Sequence, residues 1–389
     1  MPRVVGIDPG TVSFDIVGLQ DGDAFLERSI PTPEFARRPE TLLGVLQAAL
    51  PLDLIAGPSG YGLPLTPIEA VGERELKLLC LAQPGEGSTR SRIHSGGAAG
   101  GRRGGAAQHP PAQHESPIGG LRTLVRLLRE TRLPVIFTPG VIHLPTVPAH
   151  RKVNRVDLGT ADKVCAAVAA IEEQKRRLDV PYAETSFVLA ELGGAFTAVL
   201  SVEGGRIVGG QGGSSGPLGY LASGALDGEV ACLLGAVSKE TVFSGGVAFV
   251  AGNPDATPEA LALRQDEAWR LARETFVESL VRAVAGELAA ASRAREILLS
   301  GRISRIPGFR DPVVTALSRL APVRCLDVGT KVKEAARGAA LIADGLAGGR
   351  YRELIEVMRL REARGTVLDQ LYLTGAEEVR RWALGPVRC

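Results

Sequence analysis

Asp8, Thr11 and Ser13 gather around Gly10 in the run Val4-Val5-Gly6-Ile7-Asp8-Pro9-Gly10-Thr11-Val12-Ser13-Phe14-Asp15-Ile16-Val17-Gly18-Leu19, and residues of these types can hold an anion and a cation side by side. Two apolar stretches, Val4 to Ile7 and Phe14 to Leu19, flank a turn made of Asp, Pro, Gly and Thr, which predicts a β-hairpin. Pro9 fixes φ, and Gly10 lets backbone approach a ligand with no Cβ in the way. The hydroxyls of Thr11 and Ser13 add polar groups, and the N–H groups of the turn can converge on an anion. Asp8, at the end of a strand, is suited to hold Mg²⁺ directly or through water beside phosphates.

A second hairpin of this kind lies far along the chain. Ser186 to Leu192 and Thr197 to Val202 are apolar strands joined through Gly193 and Gly194, and Glu203-Gly204-Gly205-Arg206 then turns into Ile207 to Gly210. Two glycine-turn hairpins, each opening a β-rich half, suggest a duplicated architecture with phosphates held between the halves. Here the chain resembles the superfamily of acetate and sugar kinases, Hsp70 and actin, whose two phosphate loops match Asp8-Pro9-Gly10-Thr11 and Leu192-Gly193-Gly194. The resemblance implies an α/β protein with the two-domain ribonuclease H-like fold of actin, Hsp70 and acetate kinase, and a nucleotide cleft between the domains. It also implies ATP and Mg²⁺ as cofactors, with Gly10, Thr11, Ser13, Gly193, Gly194 and Thr197 on the nucleotide.

Further motifs narrow the resemblance. Gly216-Pro217-Leu218 and Gly224-Ala225-Leu226-Asp227-Gly228-Glu229 look like the segment after the second phosphate loop in acetate and butyrate kinases, and are closest to the latter. Acetate kinases carry a catalytic Arg near the position of Leu226, so that residue has no counterpart here. Leu298-Leu299-Ser300-Gly301-Arg302 is similar to the adenosine motif, which places Ser300, Gly301 and Arg302 at the nucleotide. Gly338-Ala339-Ala340-Leu341 matches the second connecting helix, and Glu334 falls where acetate-type kinases have a metal-binding Glu. The matched pieces resemble a family of predicted butyrate kinases, DUF1464, over most of the chain except Pro84 to Pro117.

The resemblance implies a kinase that makes an acyl phosphate and ADP from a short carboxylate and ATP. Phosphoryl transfer spreads negative charge over the γ-phosphoryl oxygens, so the protein mainly positions groups and neutralises charge. A carboxylate is already a nucleophile, but it needs cationic or N–H partners to sit beside ATP. Arg151, Lys152 and His143 are the candidates, with Asp162-Lys163 at the start of the following helix. An alcohol acceptor would require a base instead, Asp157 or Asp162. With Asp8, the proposed catalytic set is Arg151, Asp162 and Asp227, and Asp8 and Glu334 are the metal candidates. Each also has a structural reading: Asp162 as a charge favouring a helix N-terminus, Arg151 and Lys152 as a solvated pair, His143 as a satisfied loop histidine, Asp227 and Glu229 as turn and cap residues, Glu334 as a surface carboxylate. Two rival functions remain, an ATPase of this fold that activates a partner enzyme and a nucleotide-gated assembly protein.

Around these residues the chain supplies ordinary globular elements. Its 389 residues suggest more than one domain, divided as 1–180, 181–345 and a helical extension 346–389. With 45% hydrophobic and 23% charged residues, and a net charge of +2, nothing calls for nucleic acid or an anionic membrane. Five scattered cysteines without a CxxC pair argue against a disulfide framework or zinc site and for a reducing cytoplasm. No apolar stretch is long enough for a membrane span and no leader is evident, so a cytoplasmic protein is expected, with a homodimer left open. Ala24 to Ile30 reads as a third strand, Pro39 to Leu50 as a helix and Asp53 to Gly57 as a buried strand leading into the Pro58 to Pro64 loop. Pro84 to Pro117 reads as a disordered insertion, its arginines open to polyanions and its histidines to metal. Ile118 to Arg132 predicts a helix, Pro134 to Gly140 a strand, Val141 to Lys152 a loop and Ala161 to Leu178 a helix with Thr160 as N-cap. One long helix is expected over Pro258 to Arg295, an Ala/Gly-rich one over Val332 to Leu346, and helical structure from Tyr351 on.

Overall fold

The computed structural model describes residues 1–57, 60–81 and 117–385, so the expected insertion and its arginines and histidines lie outside the described residues. The first glycine turn closes a hairpin of β1 (Arg3–Pro9) and β2 (Ser13–Gln20), and β3 (Asp23–Pro31) completes an antiparallel meander. Parallel strands β4 (Leu54–Gly57) and β6 (Val135–Phe137) extend it on the β1 side, and the short β5 (Thr66–Pro67), not anticipated from the sequence, runs antiparallel at the edge. The order is β3-β2-β1-β4-β6-β5.

The second sheet repeats this plan. β7 (Ser186–Leu192), β8 (Thr197–Glu203) and β9 (Arg206–Gln211) form the meander, and β10 (Ile297–Ser300) and β11 (Val323–Cys325) add in parallel beside β7. In both sheets the first strand of the hairpin is central and ends at its glycine turn.

Two helices tie the halves together by crossing over. Ala161–Leu178, from the first half, packs against β7 and β8; Glu334–Leu346, from the second, lies on β1, β2 and β4 of the first sheet and against Ala161–Leu178. The second helix was expected within a C-terminal domain, yet its buried face belongs to the first sheet. Small residues permit this. A Cβ at Gly338 would lie 1.7 Å from the Cys165 carbonyl oxygen, and one at Gly6 would lie 2.2 Å from both the Ala336 oxygen and the Ala340 nitrogen. No side chain larger than hydrogen fits at either point. One apolar core therefore runs from the first sheet through both helices to Phe187, Leu189 and Leu200 of the second sheet. A separate core on the other face of the second sheet packs Trp269, Phe276 and Phe309.

The expected long helix is two. Pro258–Ala262 is capped by Thr257, and Glu267–Ala290 restarts where Asp266 accepts the N–H of Trp269 at 3.1 Å. Arg264 grips Asp266 at 2.6 and 2.8 Å, stabilising the break. Among the described residues beyond Tyr351 only Arg352–Val357 and Ala376–Leu384 are α-helical, and this segment returns to the first half, burying Leu354, Leu360 and Val367 there. Among the described residues, no helix is long and apolar enough to cross a membrane.

Candidate active site

Antiparallel register sets Asp8 opposite Asp15 at the mouth of the first hairpin, where both side chains are buried. Lys333, the residue before Glu334–Leu346, brings its Nζ to 3.3 Å from Asp8 Oδ2 and 3.6 Å from Asp15 Oδ2. Ser13 Oγ donates to Asp15 Oδ2 at 2.6 Å. A Cβ at position 10 would lie 1.9 Å from Lys333 Nζ, so glycine there is what admits the ammonium into the turn. The second turn approaches from the opposite side: a Cβ on Gly194 would lie 2.9 Å from Val12 Cγ2. Between the two, Lys163 on the first turn of Ala161–Leu178 bridges Asp162 Oδ2 at 2.6 Å and Glu191 Oε2, at the end of β7, at 2.8 Å.

Charge is crowded here, and the protonation equilibria reflect it. Burial, assisted by the neighbouring Asp162 and Asp15, pushes Asp8 up to about 6 against the pull of Lys333 and Lys163. Burial likewise raises Glu191, with Lys163 opposing and Asp162 assisting. For Asp162 burial acts upward too, but the charge of Lys163 and hydrogen bonds from Lys163 and Thr160 outweigh it and hold the carboxyl below its ordinary value. Burial works against the charge on Lys333, and Asp8 and Asp15 more than compensate, raising its pKa.

The two leading glycines of the turns do not themselves offer free donors. The Gly10 N–H is engaged by the Asp8 and Ser13 carbonyls at 3.1 and 2.9 Å, and the Gly193 N–H by the Phe196 carbonyl at 2.9 Å. The N–H groups of Thr11, Val12, Gly194 and Ala195, by contrast, have no protein acceptor among the described residues. These four donors come from both halves, beside the contact of Val12 with Gly194. Unpaired N–H groups on two adjoining turns suit phosphate oxygens. Among the described residues no three His, Cys, Asp or Glu side chains gather as a metal centre. Mg²⁺ at this point would rest on Asp8 and Asp15 together with phosphate and water oxygens, the hard oxygen ligands it prefers.

Other residues named from the sequence lie variously near and apart. Asp8, Gly10, Thr11, Ser13, Asp162, Gly193 and Gly194 come together as described. Thr197 is buried opposite Leu192 at the base of the second turn. Ser300, opposite Glu191 at the end of β10, has a buried Oγ without a hydrogen-bond partner, and Gly301 follows with φ +85° against the Leu192 carbonyl. Arg302 points to Glu259 instead, at 3.0 Å on the surface. Glu334 is buried but paired with Arg305 at 2.8 Å, while its neighbour Lys333 is the residue that reaches Asp8.

Five candidates are engaged by the protein itself. Arg151 is a strut, its guanidinium donating to the carbonyls of Val208 at 2.6 Å and Ala290 at 3.0 Å. Lys152 donates to the Leu144 carbonyl. His143 is buried with its pKa lowered to about 4, mainly by burial, so near neutrality it is an uncharged ring against Gly140. Asp227 is exposed and caps the helix Gly228–Leu234, accepting the N–H groups of Glu229 at 2.8 Å and Val230 at 3.2 Å. Asp157 is also committed: Oδ1 accepts from Gly159 N–H, and Oδ2 from the N–H and Oγ of Ser214, each at 3.0–3.1 Å.

Asp15, Glu191 and Lys333 were not singled out as site residues from the sequence, and Lys163 was named only in its pair with Asp162. Asp15 could have been, since it and Asp8 stand at equal distances from the turn centre. Glu191 is the one charged residue in an otherwise apolar strand, which is a weaker signal. Nothing local marks Lys333.

A family model described as "Protein of unknown function (DUF1464)" matches residues 6–373. No curated protein matches the chain. Among solved structures, a propionate kinase from Francisella tularensis subsp. tularensis SCHU S4 aligns with a TM-score of 0.58 and 12% identity, over 87% of this chain and 99% of that one. An acetate kinase from Porphyromonas gingivalis aligns at 0.53 and 15% identity, over 82% and 88%. The acetate kinase from Entamoeba histolytica aligns at 0.54 and 10% identity, over 82% and 87%. At such identities the likeness establishes the fold: the two-domain ribonuclease H-like architecture that the resemblance implied.

Proposed function

The chain belongs to the DUF1464 family, and from that premise we propose that it is an ATP- and Mg²⁺-dependent phosphotransferase acting on a short-chain carboxylate, in the manner of a butyrate kinase. The observation that carries this reading is the set of unpaired N–H groups of Thr11, Val12, Gly194 and Ala195, contributed by both halves where Val12 meets Gly194, next to Asp8. The structural neighbours that are acetate and propionate kinases supply the choice of acceptor class.

In this reading a carboxylate oxygen attacks the γ-phosphorus, the bond from phosphorus to the β,γ-bridging oxygen breaks, and ADP leaves with that electron pair. The free N–H groups hold the phosphate chain, and the unpaired Ser300 Oγ, buried at the end of β10 opposite Glu191, is a further polar group available in the second half. Mg²⁺, when bound, neutralises charge on the β- and γ-phosphate oxygens, with Asp8 and Asp15 as its protein-side carboxylates. A carboxylate acceptor requires no base, and the two residues named as bases for an alcohol acceptor are poor ones. Asp162 is held anionic by Lys163, and Asp157 is fully occupied by N–H and hydroxyl donors. The role of Asp162 is then to fix Lys163 between the halves.

The test is acyl phosphate formation, trapped with hydroxylamine, from Mg·ATP and each acid from acetate to valerate. Product from one or two neighbouring acids is expected. ATP hydrolysis indifferent to every acid would overturn the carboxylate acceptor and favour a partner-driven ATPase. Failure to bind ATP in calorimetry would remove the phosphotransferase reading altogether.

A further inference from the structure

We propose that Lys333 alternates between two anionic partners: the Asp8–Asp15 carboxylate pair, as in this structure, and the terminal phosphate of a bound nucleotide. The inference rests on the phosphotransferase reading above and adds a residue that neither family motif nor local sequence marks.

Three observations carry it. The two lysines of the cleft are held very differently. Lys163 is locked at 2.6 and 2.8 Å between Asp162 and Glu191, distances of tight charge-assisted hydrogen bonds. Lys333 stands off at 3.3 and 3.6 Å from Asp8 and Asp15, and 3.5 Å from the Ser13 carbonyl, with 31% of its side chain exposed. Its ammonium is drawn to both carboxylates and tightly bonded to neither, so moving it breaks no short hydrogen bond.

Its position also puts the ammonium inside the first glycine turn, 1.9 Å from where a Gly10 Cβ would be. The unpaired N–H groups of Thr11 and Val12 belong to the same turn. The ammonium thus already occupies the concavity in which those donors would meet phosphate, and rotation about its own side-chain bonds suffices to exchange partners.

Finally, the charges call for exchange. The cleft brings together four carboxylates, Asp8, Asp15, Asp162 and Glu191, with two ammonium groups, Lys163 and Lys333. Fully ionised, this set carries two negative charges in excess. A divalent cation arriving with the nucleotide satisfies Asp8 and Asp15, repels Lys333 from them, and brings the γ-phosphate that attracts it. A nucleotide without a γ-phosphate offers less of that attraction, so Lys333 should help distinguish ATP from ADP.

The test compares wild type with Lys333→Met and Lys333→Arg. Thermal melts are taken with Mg²⁺ alone, at millimolar concentration. Calorimetry measures affinity for a non-hydrolysable ATP analogue and for ADP, each with Mg²⁺. Lys333→Met is expected to be stabilised by Mg²⁺ alone where wild type is not, because the carboxylate pair then accepts the metal directly. It should also lose about tenfold in affinity for the ATP analogue, the worth of one charge-assisted hydrogen bond, with ADP little affected. Lys333→Arg should retain the preference for the ATP analogue. An unchanged preference in Lys333→Met would overturn the phosphate half of the proposal, and melts indifferent to Mg²⁺ in that variant would overturn the carboxylate half. Should wild type bind neither nucleotide, the phosphotransferase reading fails by itself, and the Mg²⁺ melts still report on Lys333.

Discussion

Burial acts on Asp8 and His143 in opposite senses. Asp8 is raised from 3.8 to about 6, so between these values the folded protein binds more protons than the unfolded chain, and stability falls as pH rises. His143 is lowered from 6.5 to about 4, so over that range the unfolded chain binds more protons, and stability rises with pH. Each is worth about 3 kcal/mol across its window, and in the wild type they largely cancel between pH 4 and 6.5. Relative to wild type, denaturant unfolding should therefore show stability rising more steeply with pH over this range in Asp8→Asn, and falling more steeply in His143→Gln. Parallel profiles for the two variants would contradict the burial of one of them. Asp8 was legible because it ends a strand at a glycine turn. His143 takes the structural reading offered for it, a satisfied loop histidine, but its burial depends on neighbours in space that the local sequence does not record.

At the level of elements, the contact between the two connecting helices should govern stability. Gly338→Ala pushes a methyl into the Cys165 carbonyl and is expected to cost about 1–3 kcal/mol, as overpacking does. The same substitution at Gly44, within the helix Glu40–Ala48, meets nothing within 4 Å and should stabilise by about 0.5–1 kcal/mol. Thermal unfolding of the two variants compares them, and equal shifts would rule out the tight crossing. The Ala/Gly composition of 332–346 was enough to predict a closely packed helix. Its partner was not legible, because small residues indicate proximity without identifying the neighbour. Asp266 shows a similar limit: apolar periodicity ran smoothly across 258–295, while a side-chain cap broke the helix.

For the whole molecule, the contacts that span the halves near the cleft include isolated polar links. Lys239 donates to Tyr61 Oη at 3.2 Å, and Arg305 holds Glu334. Each link has a partly exposed partner and contributes little, so they hold the edges of the halves near the glycine turns only weakly, while the apolar core through the two crossing helices stays intact as nucleotide binds. Small-angle scattering should show the radius of gyration decreasing when Mg²⁺ and a non-hydrolysable ATP analogue are added. Asp8→Ala should show no decrease while remaining folded by circular dichroism. Contraction in that variant equal to wild type would remove Asp8 from nucleotide binding.

By itself the sequence determined the two glycine-turn hairpins, their duplication and the order of motifs between them, because turn chemistry and strand alternation act between residues close in the chain. Those carried the resemblance that implied the fold. Only the tertiary structure decided which charged groups share the cleft, since residues 8, 15, 162, 163, 191 and 333 meet through the crossing of two helices over opposite sheets. Electrostatic interaction depends on distance in space, and no local pattern records which strand ends and helix starts will be brought within 4 Å of one another.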